Sequence, residues 1–197
     1  MGQAAIGESA ARWTRRGVLG AATAGALGRL AGEAAAAVPA GACSPPLLTG
    51  KFVAASPGER LAQSFRAERG GKVSSISFWV EALDNQAGDW VIELLEADAN
   101  GVPGRKALAS DRVRAGKIGT ATVAAIGIRF RNKKQAPKVT EGAWYAVAVS
   151  RAPSTVRVWG ATPASCGDSK AYRAEPGRSF AEVAADFDAR FEVVVGA

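Results

Sequence analysis

The chain has 197 residues, 48% hydrophobic and 22% charged, which allows one domain with a hydrophobic core and excludes a disordered or fibrous protein. It contains no histidine, so neither a Ser-His-Asp nor a Cys-His catalytic site can exist within it. The formal net charge is +7.

The first predicted element is a signal peptide over residues 1–37. Arg15 and Arg16 precede a short apolar run rich in Gly and Ala, and a segment of small residues follows that run. The run is shorter than the roughly 20 residues that a membrane-spanning helix needs. Thr14–Leu19 is similar to the twin-arginine signal, Ser/Thr-Arg-Arg-x followed by two apolar residues. We therefore expect a protein that is exported already folded, without a transmembrane anchor in its mature form.

Cleavage after residues 35–37, an A-x-A motif, would also change the charge of the protein. The removed segment contains four arginines and two glutamates, which lowers the net charge from +7 to +5. This mild positive charge and the expected export both argue against nucleic acid as a partner. Much of the remaining positive charge lies in residues 129–138, RFRNKKQAPK, which can attract an anionic polymer or surface.

Cys43 and Cys166 are the only two cysteines, and two interpretations of them are open. Paired as a disulfide, they would close a loop of more than one hundred residues and stabilise the domain by about 4 to 5 kcal/mol. Alternatively, residues 40–43 are similar to a lipobox, and a lipid on Cys43 would anchor the protein. We favour the disulfide, because lipidation would leave Cys166 as a lone thiol in an oxidising compartment.

After a predicted N-terminal extension over residues 38–60, the β-sandwich domain is expected over residues 61–197. Short strands separated by turn signals succeed one another, and no helical pattern is long enough to cover a parallel sheet. In KVSSISFWVEA, for example, Ile76, Phe78 and Val80 alternate with Ser75, Ser77 and Trp79. The pattern predicts an all-β fold, a jelly-roll-like antiparallel β-sandwich. The predicted strands are LAQSFRA, KVSSISFWVEA, DWVIELLEA, ATVAAIGIRF, GAWYAVAVS, TVRVWGA and FDARFEVVV.

The order of motifs resembles the choice-of-anchor R type of secreted domain over about Leu61 to Val195. The matching motifs are Gln63-Ser64-Phe65, Ala97-Asp98-Ala99-Asn100-Gly101, Trp144-Tyr145-Ala146, Trp159-Gly160 and Asp188-Ala189-Arg190-Phe191. The segment 161–186 departs from the family, because it contains a cysteine and more charge and alanine than usual there. The resemblance implies an extracellular jelly-roll-like module, structurally close to carbohydrate-binding modules, with no catalytic residues.

Tryptophans are the main candidates for a binding site. Trp79, Trp144 and Trp159 alternate with aliphatic residues, so they lie on outer sheet faces if the aliphatic residues form the core. Flat aromatic rings suit the apolar faces of pyranose sugars, and Tyr172 and Asp168 are predicted to complete a ligand site with them. The alternative interpretation is that these rings pack under loops or against the other sheet.

Two other kinds of chemistry are considered. Asp98 and Asn100 could supply oxygen ligands to a structural calcium, but the same residues also suit an Asx turn that caps its own backbone. Carboxylates are numerous, yet no spacing singles out a glycosidase pair, so we predict no catalytic residues and no enzyme activity.

Two hypotheses of function follow. The first is an exported, non-catalytic module that binds a glycan or a cell-envelope polymer. The second is a structural or protein-interaction domain at the cell surface, in which the tryptophans are core residues and the basic segment 129–138 contacts a partner. The sequence carries no signal for an oligomeric state.

Overall fold

A computed structural model describes residues 38–43, 51–82, 88–113, 124–131, 134–151, 155–161, 166–184 and 187–196. The predicted signal peptide, residues 1–37, lies outside the described residues. Among those described there is no helix, and fourteen strands form two antiparallel sheets. The predicted all-β sandwich is therefore confirmed. None of the described segments forms a helix of the length and hydropathy that spanning a membrane requires.

The strands are β1 Val38–Cys43, β2 Lys51–Ala55, β3 Arg60–Arg66, β4 Gly71–Ala82, β5 Trp90–Ala97, β6 Pro103–Val113, β7 Ala124–Arg129, β8 Lys138–Val139, β9 Trp144–Arg151, β10 Val156–Ala161, β11 Ala171–Ala174, β12 Ala181–Ala184, β13 Asp188–Ala189 and β14 Phe191–Gly196. Sheet A has the order β1-β14-β4-β10-β13, with β2 also paired to β10 and with β7 and β8 also paired to β4. Sheet B has the order β12-β11-β3-β9-β5-β6. The chain passes repeatedly from one sheet to the other.

The core lies between the sheets and follows the predicted alternation. On β4, Ile76, Phe78 and Val80 are fully buried, whereas Trp79 between them is only partly buried and points to the other face. β14 meets β4 in register, with Phe191 opposite Phe78. On β4 one face is apolar and the other is more polar, which is the pattern that sheet-on-sheet packing requires.

Residues 38–60, predicted as an extension, contribute two strands to sheet A. β1 pairs with β14 from Val38 to Cys43, and β2 pairs with β10. Ala40 and Ala55 are buried in the core. The segment is too short and too rich in Ala, Gly and Pro to show a clear alternation, so its strands depend on partners that come much later in the chain.

Sheet B carries a second, smaller apolar cluster on its outer face. Ala146 and Ala148 of β9 point outward and pack with Leu95, Tyr172 and Phe180. The guanidinium carbon of Arg60 lies 4.8 Å from the centroid of the Phe180 ring, which closes the cluster with a cation–π contact.

Candidate functional site

A cleft of about 390 Å³ opens where β3 ends and β9 begins. β1 and the loop that follows Cys166 form its other walls. We call it the Trp144 cleft. Its lining residues are Gly41, Ala42, Phe65, Arg66, Ala67, Glu68, Glu141, Gly142, Trp144, Cys166, Asp168, Ser169 and Phe191.

Two aromatic residues, Trp144 and Phe65, are among the lining residues of the cleft. Trp144 is partly buried, and its ring rests against Gly101, where an added Cβ would lie 3.3 Å from the indole Cε3. Phe65 is buried, with its ring centroid 5.3 Å from that of Phe191. Gly41 packs so closely on the Phe65 ring that a side chain at this position would collide with it. Both rings are therefore held in place by their neighbours.

The charged groups of the cleft are mostly acidic. Glu68, Glu141 and Asp168 supply three carboxylates, against the single guanidinium of Arg66. The Arg66 Nε–H donates to the carbonyl of Gly142 at 2.9 Å, which ties this cation to the wall. Carboxylates only accept hydrogen bonds when ionised, so the cleft suits a ligand with many hydroxyl or amine donors.

Backbone hydrogen bonds place these carboxylates together. The N–H of Ala67, just after β3, donates to the carbonyl of Ala143 at 2.9 Å. The N–H of Glu68 donates to the carbonyl of Ala40 in β1 at 2.8 Å. The turns that carry Glu68 and Glu141 are thus attached to each other and to β1, although they are far apart in the sequence.

A disulfide holds the wall of the cleft that the loop after Cys166 forms. Cys43, at the end of β1, is bonded to Cys166, and their Cα atoms are 5.6 Å apart. The predicted pairing is confirmed. The bridge joins two residues separated by 123 positions and holds the loop of Asp168 and Ser169 against β1.

A buried polar network lies behind the disulfide, centred on the carboxylate of Asp188, which has no solvent exposure. This carboxylate accepts hydrogen bonds from Gln63 Nε2 at 2.9 Å, from the Cys166 N–H at 2.7 Å and from Ser169 Oγ at 3.0 Å. The side-chain oxygen of Gln63, Oε1, in turn accepts a hydrogen bond from the N–H of Ala189 at 2.8 Å. A buried charge is tolerated only when it is hydrogen-bonded, so these donors keep Asp188 in place and anchor the Cys166 loop.

Cys43, Cys166 and Asp188 are residue types that can bind a metal ion, but the two cysteines are not in the thiolate form that binds one. The two sulfurs and a carboxylate oxygen of Asp188 all lie within 4.8 Å of one another. A metal would need thiolates, whereas each sulfur is already bonded to the other. The cluster is therefore a structural unit that supports the cleft.

The structure brings two of the predicted site residues together. Trp144 and Asp168 line the same cleft, on β9 and on the loop after Cys166. Their side-chain chemistry is visible in the sequence, and the fold supplies their proximity.

Trp79 and Trp159 lie elsewhere, on the outer face of sheet A, and each has a structural partner. The guanidinium carbon of Arg190 lies 4.3 Å from the centroid of the Trp79 ring. Trp159 Nε1 donates to Glu81 Oε2 at 3.0 Å. These two tryptophans share a face with each other and not with the Trp144 cleft.

Tyr172 lies within the second apolar cluster and is only 3% exposed. Burial raises the pKa of its phenol, because the phenolate would lose its hydration, and the charge of Glu182 acts in the same direction. Lys170 is exposed, and its hydrogen bond to Glu182 raises the pKa of the ammonium group. The Tyr172 ring is thus packed inside the protein.

Asp98 and Asn100 form a tight turn between β5 and β6. Asp98 Oδ1 accepts from the N–H groups of Asn100 and Val102, at 2.8 and 2.9 Å. This is the geometry of an Asx-type turn. Two backbone donors already occupy the oxygen that a calcium ion would use first, and the calcium site itself stays a prediction.

Several cleft residues have no signal in the sequence. Glu68 and Glu141 are ordinary turn residues, and only the pairing of β3 with β9 brings them together. Gln63 belongs to the Gln63-Ser64-Phe65 strand motif, but its role as a buried partner of Asp188 depends on a contact between residues 125 positions apart.

No known protein family matches this sequence, and no curated protein matches it either. The fold and the site define an antiparallel β-sandwich with a cleft that combines aromatic and acidic side chains.

Proposed function

We propose that this protein is an exported, non-catalytic module that binds a glycan of the cell envelope in the Trp144 cleft. The observation that carries the proposal is the convergence of Trp144 with three carboxylates in one cleft of about 390 Å³. An aromatic ring can lie against the apolar face of a sugar while carboxylates accept hydrogen bonds from its hydroxyl groups. Rigid walls favour binding, because little side-chain entropy is lost when the ligand arrives.

The charge of the cleft narrows the ligand class. Three carboxylates face one guanidinium, so an acidic sugar would meet repulsion. The proposed ligand is a neutral or amine-bearing saccharide. A predominantly acidic polysaccharide is not expected to enter this cleft.

Export is part of the same proposal, and three features support it. The Thr14–Leu19 segment resembles a twin-arginine signal, and the predicted A-x-A cleavage motif follows it at residues 35–37. The Cys43–Cys166 bridge suits an oxidising compartment. The motif order resembles the choice-of-anchor R type of secreted domain, and that resemblance agrees with a sandwich fold.

We propose the released form in preference to the lipid-anchored form. Lipidation of Cys43 would require a free thiol, but its sulfur is bonded to Cys166. Lipobox cleavage before Cys43 would also remove residues 38–42, almost all of β1, and leave an edge of β14 without its partner. Intact mass spectrometry of the exported protein separates the two forms, because a chain starting near Val38 carries no acyl mass.

The test of glycan binding compares two tryptophans. Full-length wild type, Trp144→Ala and Trp159→Ala proteins are applied to a glycan array and to isolated cell-wall material. We expect Trp144→Ala to weaken binding about tenfold or more, because it removes the aromatic surface. Trp159→Ala, which removes a tryptophan of similar burial on sheet A, is expected to retain binding.

The opposite results would decide against the proposal. Binding lost in Trp159→Ala and kept in Trp144→Ala would move the site to the outer face of sheet A. No glycan binding by a folded wild-type protein would leave the structural or protein-interaction domain as the better description. Thermal unfolding of each variant, with Trp144→Phe as a conservative replacement, distinguishes lost binding from lost folding.

A further inference from the structure

A second depression lies between the edges of the two sheets, where β6 of sheet B ends beside β7 of sheet A. Its volume is about 630 Å³. We call it the arginine groove. Its lining residues are Asp111, Arg112, Val113, Gly127, Ile128, Arg129 and Arg131.

The groove carries an excess of positive charge that the described protein does not neutralise. Arg112, Arg129 and Arg131 are exposed, and Asp111 is the single carboxylate among the lining residues. Asp111 Oδ1 accepts the backbone N–H of Arg112 at 2.7 Å. Within the described residues, none of the three guanidinium groups makes an ion pair or a hydrogen bond.

Two partly buried arginines elsewhere in the sandwich are paired with carboxylates. Arg60 pairs with Glu93 at 2.9 Å, and Arg157 lies 3.5 Å from Glu81. An arginine paired in this way has a structural role. The guanidinium groups of the groove retain their donors for an external partner.

The backbone that carries these arginines is fixed. The N–H of Phe130 donates to the carbonyl of Ser74 at 2.9 Å, and the N–H of Arg131 donates to the carbonyl of Arg129 at 3.2 Å. Gly127 lies so close to the carbonyl of Ile76 that an added Cβ would collide with it. β7 is therefore held tightly on β4, and the groove has a defined wall.

We propose that the arginine groove binds a linear polymer of phosphate groups, such as a phosphodiester-linked polymer of the cell envelope. A guanidinium group offers two parallel N–H donors that match two oxygens of one phosphate. Several such contacts along one chain release counterions and strengthen binding. The site is separate from the Trp144 cleft and does not depend on the glycan proposal.

An extended polymer fits this surface better than a membrane does. The groove is concave, and a lipid surface would need apolar side chains that protrude into it. Ile128, one of the two large aliphatic residues in the lining, is only 4% exposed. Charges on edge strands also prevent aggregation of sheets, but that role does not require three arginines around one depression.

The experiment measures binding of inorganic polyphosphate to the full-length chain at several salt concentrations. The test variant combines Arg112→Gln, Arg129→Gln and Arg131→Gln. The control variant combines Lys72→Gln, Lys106→Gln and Arg178→Gln, which removes the same number of charges from exposed positions outside the groove. We expect the test variant to bind at least tenfold more weakly and to lose about two units of the slope of log affinity against log salt. The control variant should stay within about twofold of wild type.

Three results would overturn the proposal. Equal weakening in both variants would mean that net charge alone drives binding. Unchanged polyphosphate binding by the test variant would mean that the polymer binds elsewhere on the protein. Tighter binding to phosphatidylglycerol vesicles than to polyphosphate, at matched phosphate concentration, would identify a membrane surface as the partner. Trp144→Ala, which affects only the cleft, should leave polyphosphate binding unchanged, so that the two proposals can fail separately.

Discussion

The Trp144 cleft and the arginine groove lie at different edges of the same sandwich and have opposite chemistry. The cleft combines aromatic rings with three carboxylates, and a disulfide and a buried carboxylate lie behind it. The groove has three guanidinium groups and one carboxylate, and the pairing of β7 with β4 and the core packing of Ile128 and Val113 hold its lining. The cleft therefore depends on a disulfide and a buried polar network, whereas the described lining of the groove depends on strand pairing and core packing. Substitutions in the disulfide or in the buried polar network should therefore weaken binding at the cleft more than binding at the groove.

The largest effect is expected from the disulfide. Replacing both cysteines, as Cys43→Ser with Cys166→Ser, should lower the free energy of unfolding by about 5 kcal/mol, because the bridge closes a loop of 123 positions. Denaturant unfolding measures this loss, with reductant added to wild type as a second route to the same state. Where the variant still folds, cleft binding should fall more than polyphosphate binding. A stability loss below about 1 kcal/mol would contradict this account of the cleft.

Two aspartates near the same loop should respond differently. Asp188→Ala should cost about 3 kcal/mol, because it removes the acceptor of the Gln63 side-chain amide and of the Cys166 N–H. Asp168→Ala removes an exposed side chain and should change the free energy of unfolding by less than about 0.5 kcal/mol. It should nevertheless weaken glycan binding. Chemical denaturation and binding, measured on both variants, test the distinction. Similar stabilities would show that the buried network does not support the fold.

A pair of glycines tests how the Trp144 ring is positioned. Gly101 and Gly177 both have positive φ, at 79° and 74°, so alanine at either position should cost about 1 kcal/mol. Only at Gly101 would the new Cβ press on the indole ring, at 3.3 Å, and nothing lies within 4 Å at Gly177. Gly101→Ala should therefore weaken glycan binding severalfold, and Gly177→Ala should not. Equal binding by the two variants would mean that the ring tolerates displacement.

The smallest effect concerns alkaline pH and lies outside both surfaces. Below pH 10.0 the Tyr172 phenol is protonated whether the chain is folded or unfolded. Because burial raises its folded pKa, the unfolded chain loses this proton first, and the free energy of unfolding falls as the pH rises above 10.0. The raised pKa of Lys170 acts in the same direction above 10.5.

Tyr172→Phe removes one of these contributions. Its stability should decline less steeply than that of wild type between neutral pH and a pH above 10.0. Urea unfolding across this range gives the two slopes. Parallel slopes would show that the phenol has the same pKa in the folded and the unfolded chain.

The sequence predicts local features of the fold well. Ile76, Phe78 and Val80 are buried as the period of two requires, because alternation depends only on neighbouring residues. The pairing of Cys43 with Cys166 is also predicted, since the chain has no other cysteine.

Features that depend on distant pairing could not be predicted. β1 and β2 form because β14 and β10 pair with them, and Glu68 meets Glu141 only through the register of β3 with β9. Tyr172 and Trp144 have similar sequence surroundings, yet one is packed beneath Phe180 and the other lines a cleft. The proximity of Trp144 to Asp168 is likewise a property of the topology.

The place of β14 has a consequence for biosynthesis. Residues 191–196 follow all the other strands in the sequence, but they pair between β1 and β4 near the middle of sheet A. A nascent chain without them has no partner for β1, so this long-range pairing cannot form early. Sheet A is thus completed only once residues 191–196 have been synthesised.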